Sequence, residues 1–394
     1  MTLAQNNIRL PANKKEPGML RYQCTWRGPL EKRSGLGHAS REYVQALRRQ
    51  GVDVRIGDSS GPASRAESRA GKQVLIYHHP PHTLNFREAK ERYDRIILNT
   101  VWETSRTPRN WMPYMNQFDG ILVPSRHNKE ALRNSGVKVP IYIVPHGVNT
   151  KLYNPANPKF SLGEHQGKFV FVSVFSFQHR KNPELLLRAY WQEFSQKDRV
   201  LLLIKTSGFD KDEDGEWIKN KILRYKEQLA LPHKTAPLML ITKRISDSSL
   251  RKIYTSGNAF VLPTRGEGVG LPFLESIASG VPVITTAWGG QMDFLTKKNS
   301  FFVKYNLRNP AASMQQKHCI SRKFSNLFAQ KGQFWAEAEL DDLRMQMRRA
   351  YANPQLCKQK GKQGRQDALN LSWDRSGRLM KKAIERIISG DRRG

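Results

Sequence analysis

The sequence predicts an α/β fold of two domains, each built on a parallel sheet, that face each other across a cleft. Short β-branched or apolar runs alternate with amphipathic helical stretches, which is typical of parallel strands joined by crossover helices. A segment rich in Pro, Asn and Gly, 149–167, interrupts this alternation, and a second α/β series follows it. We therefore expect ligands to bind at the carboxyl ends of the strands, in the cleft.

The first series predicts a domain over 19–150, after a polar segment, 1–18, that we expect to be mobile. The turn Ser34-Gly35-Leu36-Gly37 is predicted to open a helix that Gly51 stops. Residues 57–72, rich in Ser, Gly and Arg, are predicted to form a loop. Strands are predicted at 20–26, 52–56, 74–77, 95–98, 120–123 and 141–144.

The second series predicts a domain over 151–374. Its first strand is almost continuously apolar, as expected for a strand buried on both faces. Strands are predicted at 168–175, 200–205, 238–242, 259–263, 282–285 and 301–304, and helices at 183–194, 218–229, 247–256 and 375–388.

The chain is strongly cationic, with 66 basic and 34 acidic residues and a net charge of +32. Residues 344–394 carry 14 basic and 4 acidic side chains, and 304–332 carry six basic and none acidic. Such a charge favours an anionic membrane surface or an acidic polymer as partner, although general solubility explains it equally well. Nucleic acid is not expected, because no nucleic-acid-binding motif accompanies the charge.

Several classes of protein are excluded. The three cysteines, Cys24, Cys319 and Cys357, are too few and too far apart for a disulfide scaffold or a zinc site. No apolar run approaches the ~20 residues that a membrane span needs. Residues 1–15 lack the apolar core of a signal peptide. We therefore expect a cytoplasmic protein, able to rest peripherally on the inner face of a membrane.

The most informative segment is Pro263-Thr-Arg-Gly-Glu-Gly-Val-Gly-Leu-Pro-Phe-Leu-Glu275, which predicts a strand, a glycine-rich loop and a helix. Its glycines permit positive φ and a close approach of ligand to backbone. The helix N-terminus offers free N–H groups to a phosphate. Glu267 and Glu275, eight residues apart, are expected to face one cleft and to accept hydrogen bonds from sugar or ribose hydroxyls.

This segment resembles the donor-binding motif of the group 1 (family 4) retaining glycosyltransferases, which have the GT-B fold. The resemblance implies that Glu267 contacts the donor sugar and that Glu275 binds the ribose. It also implies that the C-terminal helix, 375–390, crosses back to the N-terminal domain. The backbone that would hold the sugar and diphosphate comprises Gly268, Val269, Gly270 and Leu271.

A second segment, 172–184, resembles the family's first strand and loop of the C-terminal domain. By this resemblance Lys181 grips the diphosphate, as a lysine can. The family's usual upstream arginine is absent, and we expect Arg180 or Lys205 to replace it. Arg244 and Ile245 are candidates for contacts with the base.

The resemblance places other candidates on the acceptor side. Gly35 and Gly37 correspond to a loop beside the acceptor and diphosphate, and Glu103 to a group that positions the acceptor. Of His78 and His79, His79 is our candidate for a residue that touches the sugar and aids catalysis. Two alternatives remain: His79 is a structural histidine, or Gly35 and Gly37 form a tight turn that binds no ligand.

The reaction implied is sugar transfer, with retention, from a nucleotide-diphosphate sugar to an acceptor hydroxyl on a glycan, lipid or protein. No cofactor or metal is expected, because Asp212-Glu-Asp214 lies in a polar loop and no other DxD sequence lies near the donor motif. The basic C-terminal helix is expected to associate with the surface of an anionic bilayer. The alternative is a catalytically degenerate GT-B protein that binds a nucleotide sugar or an anionic polymer.

Overall fold

The computed structural model describes residues 21–57, 71–317 and 319–390. The predicted mobile segment, 1–18, lies outside them, as does most of the predicted loop at 57–72. Within the described residues, the chain forms two parallel six-stranded sheets and a two-stranded antiparallel one.

The first sheet has the strand order β2-β1-β3-β4-β5-β6, and every neighbouring pair is parallel. Its central strands are buried on both faces, which explains their near-continuous apolar sequences. The strands are β1 (Tyr22–Arg27), β2 (Asp53–Ile56), β3 (Lys72–Tyr77), β4 (Arg95–Asn99), β5 (Gly120–Val123) and β6 (Ile141–Ile143).

The second sheet has the order β12-β11-β10-β7-β8-β9 and is also parallel throughout. The order reverses beside β7, so loops leaving β7 and β10 open onto the same edge of the sheet. The strands are β7 (Phe169–Ser176), β8 (Val200–Ser207), β9 (Leu238–Ile241), β10 (Ala259–Leu262), β11 (Val283–Thr286) and β12 (Ser300–Val303).

Helices connect these strands. The α-helices before β12 are α1 (Gly35–Arg49), α2 (Phe86–Arg92), α3 (Met112–Met115), α4 (Arg126–Asn134), α5 (Pro183–Glu193), α6 (Gly215–Gln228), α7 (Asp247–Ser256) and α8 (Leu271–Ala278). Those after it are α9 (Pro310–Met314), α10 (Ser325–Phe328), α11 (Leu340–Ala352), α12 (Pro354–Leu369) and α13 (Trp373–Ser389). Helix α7 and strand β5 have the predicted bounds to the residue.

The start of α1 differs from the prediction. Ser34 caps this helix, and its Oγ accepts a hydrogen bond from the N–H of Gly37, 3.2 Å away. Gly35 and Gly37 therefore lie in the first helical turn and not in a turn before it. A Cβ on Gly37 would lie 1.9 Å from the carbonyl oxygen of Lys32, so glycine is required there for a close approach of two backbones.

Residues 305–338, described except for 318, form an arm between the two halves of the molecule. The sequence offered no interpretation for the stretch 304–332. Strands β13 (Tyr305–Arg308) and β14 (Trp335–Ala338) pair antiparallel at its base. Its buried side chains, Met314, Phe328 and Trp335, pack in the same core as Trp102 of the first half. We call residues 305–338 the bridging arm.

Helix α13 crosses back to the first domain, as predicted. Its apolar face, which includes Met380, Ile384 and Ile387, is buried against α1 and the first sheet. Because the protein itself covers the apolar face of α13, the predicted association of this helix with an anionic bilayer depends on its basic residues. Its basic residues lie on the opposite, exposed side.

Candidate active site

The glycine-rich segment joins β10 to α8 at the carboxyl edge of the second sheet. Gly270 adopts φ +84°, and Pro272 stands in the first turn of α8. Gly280 follows the helix with φ +74°, as predicted for its C-terminal end. We call residues 263–270 the donor loop.

Glu267 lies at the centre of a buried cluster of charges. Its Oε1 is 2.5 Å from Lys181 Nζ, and its Oε2 is 3.3 Å from an Nη of Arg180. The hydroxyl of Thr264 donates to the same Oε1 over 3.1 Å. Burial alone would raise the pKa of Glu267, but the two cations hold it below its ordinary value. Glu267 is therefore an anion whose partners are two cations from the loop after β7.

The first domain contributes a second carboxylate to this cluster. Glu103, from the loop after β4, lies 3.3 Å from the other terminal nitrogen of Arg180. Burial raises the pKa of Glu103, and the neighbouring Glu267 adds to this effect against the pull of Arg180. The structure thus brings together the predicted site residues Glu103, Arg180, Lys181 and Glu267, which come from three separate segments.

Two donor-loop glycines lie against the first domain. Neither Gly266 nor Gly268 has positive φ. A Cβ on Gly266 would lie 2.2 Å from the carbonyl oxygen of Glu103, and one on Gly268 would lie 2.0 Å from Val101 Cγ2. These glycines therefore permit the approach of the first domain, which Ser125 secures by donating its hydroxyl to the Gly268 carbonyl over 2.8 Å.

Glu275 has partners of its own within the second domain. The hydroxyl of Tyr254 donates to its Oε2 over 2.6 Å, and Tyr153 also hydrogen-bonds this carboxyl. Burial nevertheless raises the pKa of Glu275 to about 7. Glu275 is thus a carboxyl group already oriented by two phenols, separate from the Glu267 cluster.

Three further donor-site candidates do not join the cluster through any contact among the described residues. The Nζ of Lys205 donates to the Thr206 carbonyl over 3.0 Å. Arg244 is exposed, and Ile245 packs on the edge of the second core. All three lie at the ends of β8 and β9, on the edge of the sheet from which the donor loop leaves. Of the two substitutes proposed for the missing arginine, Arg180 is the one beside Lys181.

The histidine pair after β3 divides into one inner and one outer residue. His78 is buried, and its Nδ1 lies 2.7 Å from Ser40 Oγ. Burial lowers the pKa of His78 to about 3, so it is a neutral structural group. His79 is only half-buried, and this leaves it as the histidine available to a ligand.

The helix that begins at Gly35 faces the donor side of the molecule. A Cβ on Gly35 would lie 3.8 Å from Leu271, the first residue of α8. Val269, in the donor loop, is buried. The two glycine-rich segments singled out in the sequence are therefore neighbours in the fold.

Sequence reasoning missed Arg265, which is almost fully buried beside the cluster. Its Nε lies 2.8 Å from a carboxylate oxygen of Glu337, and one Nη lies 3.1 Å from Glu184. Glu184 in turn accepts from His179 over 2.5 Å. Arg265 and Glu184 lie inside the two quoted motifs and could have been noticed as paired charges. Glu337 lies on β14, and the sequence around it contains no motif that would have indicated a role in the site.

An interdomain cavity of about 350 Å³ lies behind the donor loop, away from the charged cluster. Its lining includes Pro145, His146, Val269, Leu274, Phe294 and Leu379.

Within the described ranges, no group of three or more His, Cys, Asp or Glu side chains is placed to hold a metal ion. No helix in the same ranges has the length and hydropathy to cross a membrane.

The sequence matches known protein sequences over part of its length. Residues 156–315 match the family model described as glycosyl transferases group 1. The alpha-monoglucosyldiacylglycerol synthase of Streptococcus pneumoniae is 25% identical over 179 residues, which are 43% of this chain and 38% of that protein. The uncharacterized protein 356 of Sulfolobus islandicus rod-shaped virus 1 is 22% identical over 212 residues, 53% of this chain and 56% of that one. The matches thus span between a third and three fifths of these relatives.

Solved structures match almost the whole chain. The sucrose-phosphate synthase of Thermosynechococcus elongatus superposes with a TM-score of 0.65 at 15% identity, covering 94% of this chain and all of that one. HepE of Anabaena, solved with UDP and glucose, superposes with a TM-score of 0.65 at 10% identity, covering 92% of this chain and 99% of that one. Both domains and their arrangement therefore agree with the architecture of these structures.

Proposed function

Because the chain belongs to the group 1 glycosyl transferases and has the GT-B fold, we propose that it transfers a sugar from a nucleotide-diphosphate sugar to an acceptor hydroxyl. The observation that carries the proposal is the buried cluster in which Lys181 and Arg180 surround Glu267. Two cations held in a site of low dielectric are suited to a leaving group whose negative charge grows in the transition state.

The donor enters this cluster by exchange of ion pairs. Its diphosphate replaces the Glu267 carboxylate as partner of Lys181 and Arg180, so neither cation is left buried without an anion. Glu267 is then free to accept hydrogen bonds from the hydroxyls of the donor sugar. The backbone of Gly268–Leu271 and the N-terminus of α8 hold the sugar and diphosphate from the other side.

The nucleoside lies further along the same edge of the second sheet. We expect Glu275, which is half-buried and held by Tyr254, to accept hydrogen bonds from the ribose hydroxyls. Arg244 and Ile245 are the candidates beside the base, and Lys205 is a further cation close to the diphosphate. The base itself, whether uridine, guanosine or adenosine, is what the first experiment identifies.

The acceptor binds on the side of the first domain. Glu103 faces Arg180 across the cleft, and its raised pKa suits a carboxyl group that orients an acceptor hydroxyl. His79 and the start of α1 at Gly35 and Gly37 complete that side. The departing phosphate oxygen takes the proton of the acceptor, so attack occurs on the face from which the leaving group departs, with retention of configuration.

The cations of the cluster, Lys181 and Arg180, neutralise the diphosphate, as a metal ion does in other sugar transfers. Closure of the two domains excludes water. We therefore take the reaction to be metal-independent. The acceptor is a glycan, lipid or protein, and the name of the pneumococcal relative supports a glycolipid among these. A net charge of +32 favours a cytoplasmic enzyme that works at an anionic membrane surface.

A thermal-shift panel of UDP, GDP, ADP and their sugars, with and without EDTA, tests the donor site. A ligand at 100 times its Kd adds about 2.7 kcal/mol to the stability of the native state. We expect one nucleotide to raise the Tm with no effect of EDTA, and the shift to disappear in Lys181→Ala. A Tm that no nucleotide raises would contradict the donor site, and loss of the shift in EDTA would contradict metal-independence.

A further inference from the structure

The bridging arm contacts both loops that carry the carboxylates of the candidate site. Its C-terminal strand contacts the donor loop, which bears Glu267, through Glu337, and the neighbouring Phe334 contacts the loop after β4, which bears Glu103. The arm is thus in a position to set the geometry of the cluster from outside it.

Arg265 is the connection on the donor side. Its side chain reaches Glu337 on β14, with Nε 2.8 and 2.9 Å from the two carboxylate oxygens. Its carbonyl accepts from the N–H of Ala336 over 2.8 Å. Its own N–H donates to the carbonyl of Arg180, also over 2.8 Å. One residue therefore links the arm, the donor loop and the cation that faces both site carboxylates.

The arm holds the first domain through backbone and apolar contacts. The N–H of Ser105 donates to the Phe334 carbonyl over 3.0 Å, and the N–H of Phe334 donates to Ser105 Oγ over 2.9 Å. The ring of Phe328 packs 5.2 Å from that of Trp102. Trp102 and Ser105 stand on either side of Glu103, so the arm fixes the loop from which this carboxylate projects.

We propose that the bridging arm is a positioning element of the active site, in which Glu337 acts through Arg265 to hold Arg180 and Glu267 in register with Glu103. This inference rests on the proposed function. Arg265 is buried between two carboxylates, those of Glu184 and Glu337. If the Glu337 carboxylate is removed, Arg265 keeps only Glu184 as an anionic partner. The donor loop then shifts, and a displacement of about 1 Å in a catalytic group can lower a rate by about 100-fold.

The test compares Glu337→Gln with Glu339→Gln. Glu339 directly follows the same strand but accepts a hydrogen bond from Asn306, outside the Arg265 network, so this variant is a matched control. We expect Glu337→Gln to lower kcat by about 10- to 100-fold and to change the donor KM less, because the negative charge that the cations neutralise is greatest in the transition state. Glu337→Asp should recover part of the loss, and Glu339→Gln should behave as wild type.

Hydrogen exchange supplies a measurement that does not depend on activity. Glu337→Gln should speed exchange of the amides in residues 262–271 and 101–106, and Glu339→Gln should not. A variant Glu337→Gln with wild-type kcat and exchange would overturn the inference. So would a lower Tm with unchanged kcat, since that indicates a purely structural role. If the wild type transfers no sugar, the proposed function fails, and the exchange data alone decide whether the arm holds both loops.

Discussion

At Glu267, a carboxylate that burial would keep protonated stays charged because Lys181 and Arg180 lie against it. In such a pair the cost of desolvation is offset only while both partners are present. The two cations that stabilise the Glu267 carboxylate are therefore also suited to bind another anion in its place.

This exchange predicts the behaviour of Glu267→Gln. The variant leaves Lys181 buried without its anion, so we expect the free energy of unfolding to fall by about 2–4 kcal/mol. A nucleoside diphosphate supplies the missing negative charge and should raise the Tm of the variant more than that of the wild type. Equal shifts in the two proteins would show that the diphosphate does not take the place of the carboxylate.

Glu275 predicts a dependence of stability on pH. Its pKa is raised from an ordinary 4.5 to about 7, so the folded protein binds a proton that the unfolded chain has lost. Stability contributed by this group is thus present below about pH 4.5 and is lost as the pH rises towards 7. Gln does not titrate, so Glu275→Gln should lose less stability than the wild type when the pH is raised from 5 to 7.5. Urea unfolding at the two pH values measures this difference. A pH dependence unchanged in Glu275→Gln would contradict the raised pKa.

Among the elements, those with a strong local pattern could be predicted from the sequence. Helix α7 and strand β5 have the predicted bounds, because a cap or an apolar run marks their ends. The donor loop was found because its glycines, proline and glutamates fall in one short segment. The roles of Gly266 and Gly268 could not be predicted, because the residues that approach them belong to the other domain.

The bridging arm could not be predicted for the same reason. Its strands β13 and β14 are four residues each and lie 26 residues apart, so neither has a partner nearby in the sequence. What stabilises them is the core of the first domain and the charge of Arg265. Arg180 and Lys181 lie in a segment that the sequence singled out, whereas the contact of Arg180 with Glu103 depends on the packing of the two domains.

The packing of α13 on α1 can be tested at Gly377. A Cβ there would lie 2.7 Å from the carbonyl oxygen of Ala46, so the two helices approach through this glycine. We expect Gly377→Val to reduce the free energy of unfolding by about 1–3 kcal/mol, through overpacking. Arg378→Val, at the exposed neighbouring position, is the control, and equal losses in urea unfolding would argue against the close approach.

The whole chain carries a net charge of +32, while the apolar face of α13 is packed against the protein. Membrane association should therefore be electrostatic. We expect binding to vesicles with anionic lipid at low salt, release at high salt, and no binding to neutral vesicles, as measured by co-sedimentation. Binding to neutral vesicles that resists salt would require an apolar surface other than that of α13.

The two domains meet at the Glu267 cluster, so sugar transfer itself is the most direct test of the account. The donor is the nucleotide sugar that raises the Tm in the thermal-shift panel. The measurement, made in EDTA, is the release of nucleoside diphosphate and of labelled sugar from this donor by the wild type, Glu267→Gln and Glu339→Gln. We predict turnover by the wild type and Glu339→Gln, and at least about a 100-fold loss in Glu267→Gln, which still binds the diphosphate. A wild type that binds the donor without turnover, or a fully active Glu267→Gln, would contradict the account.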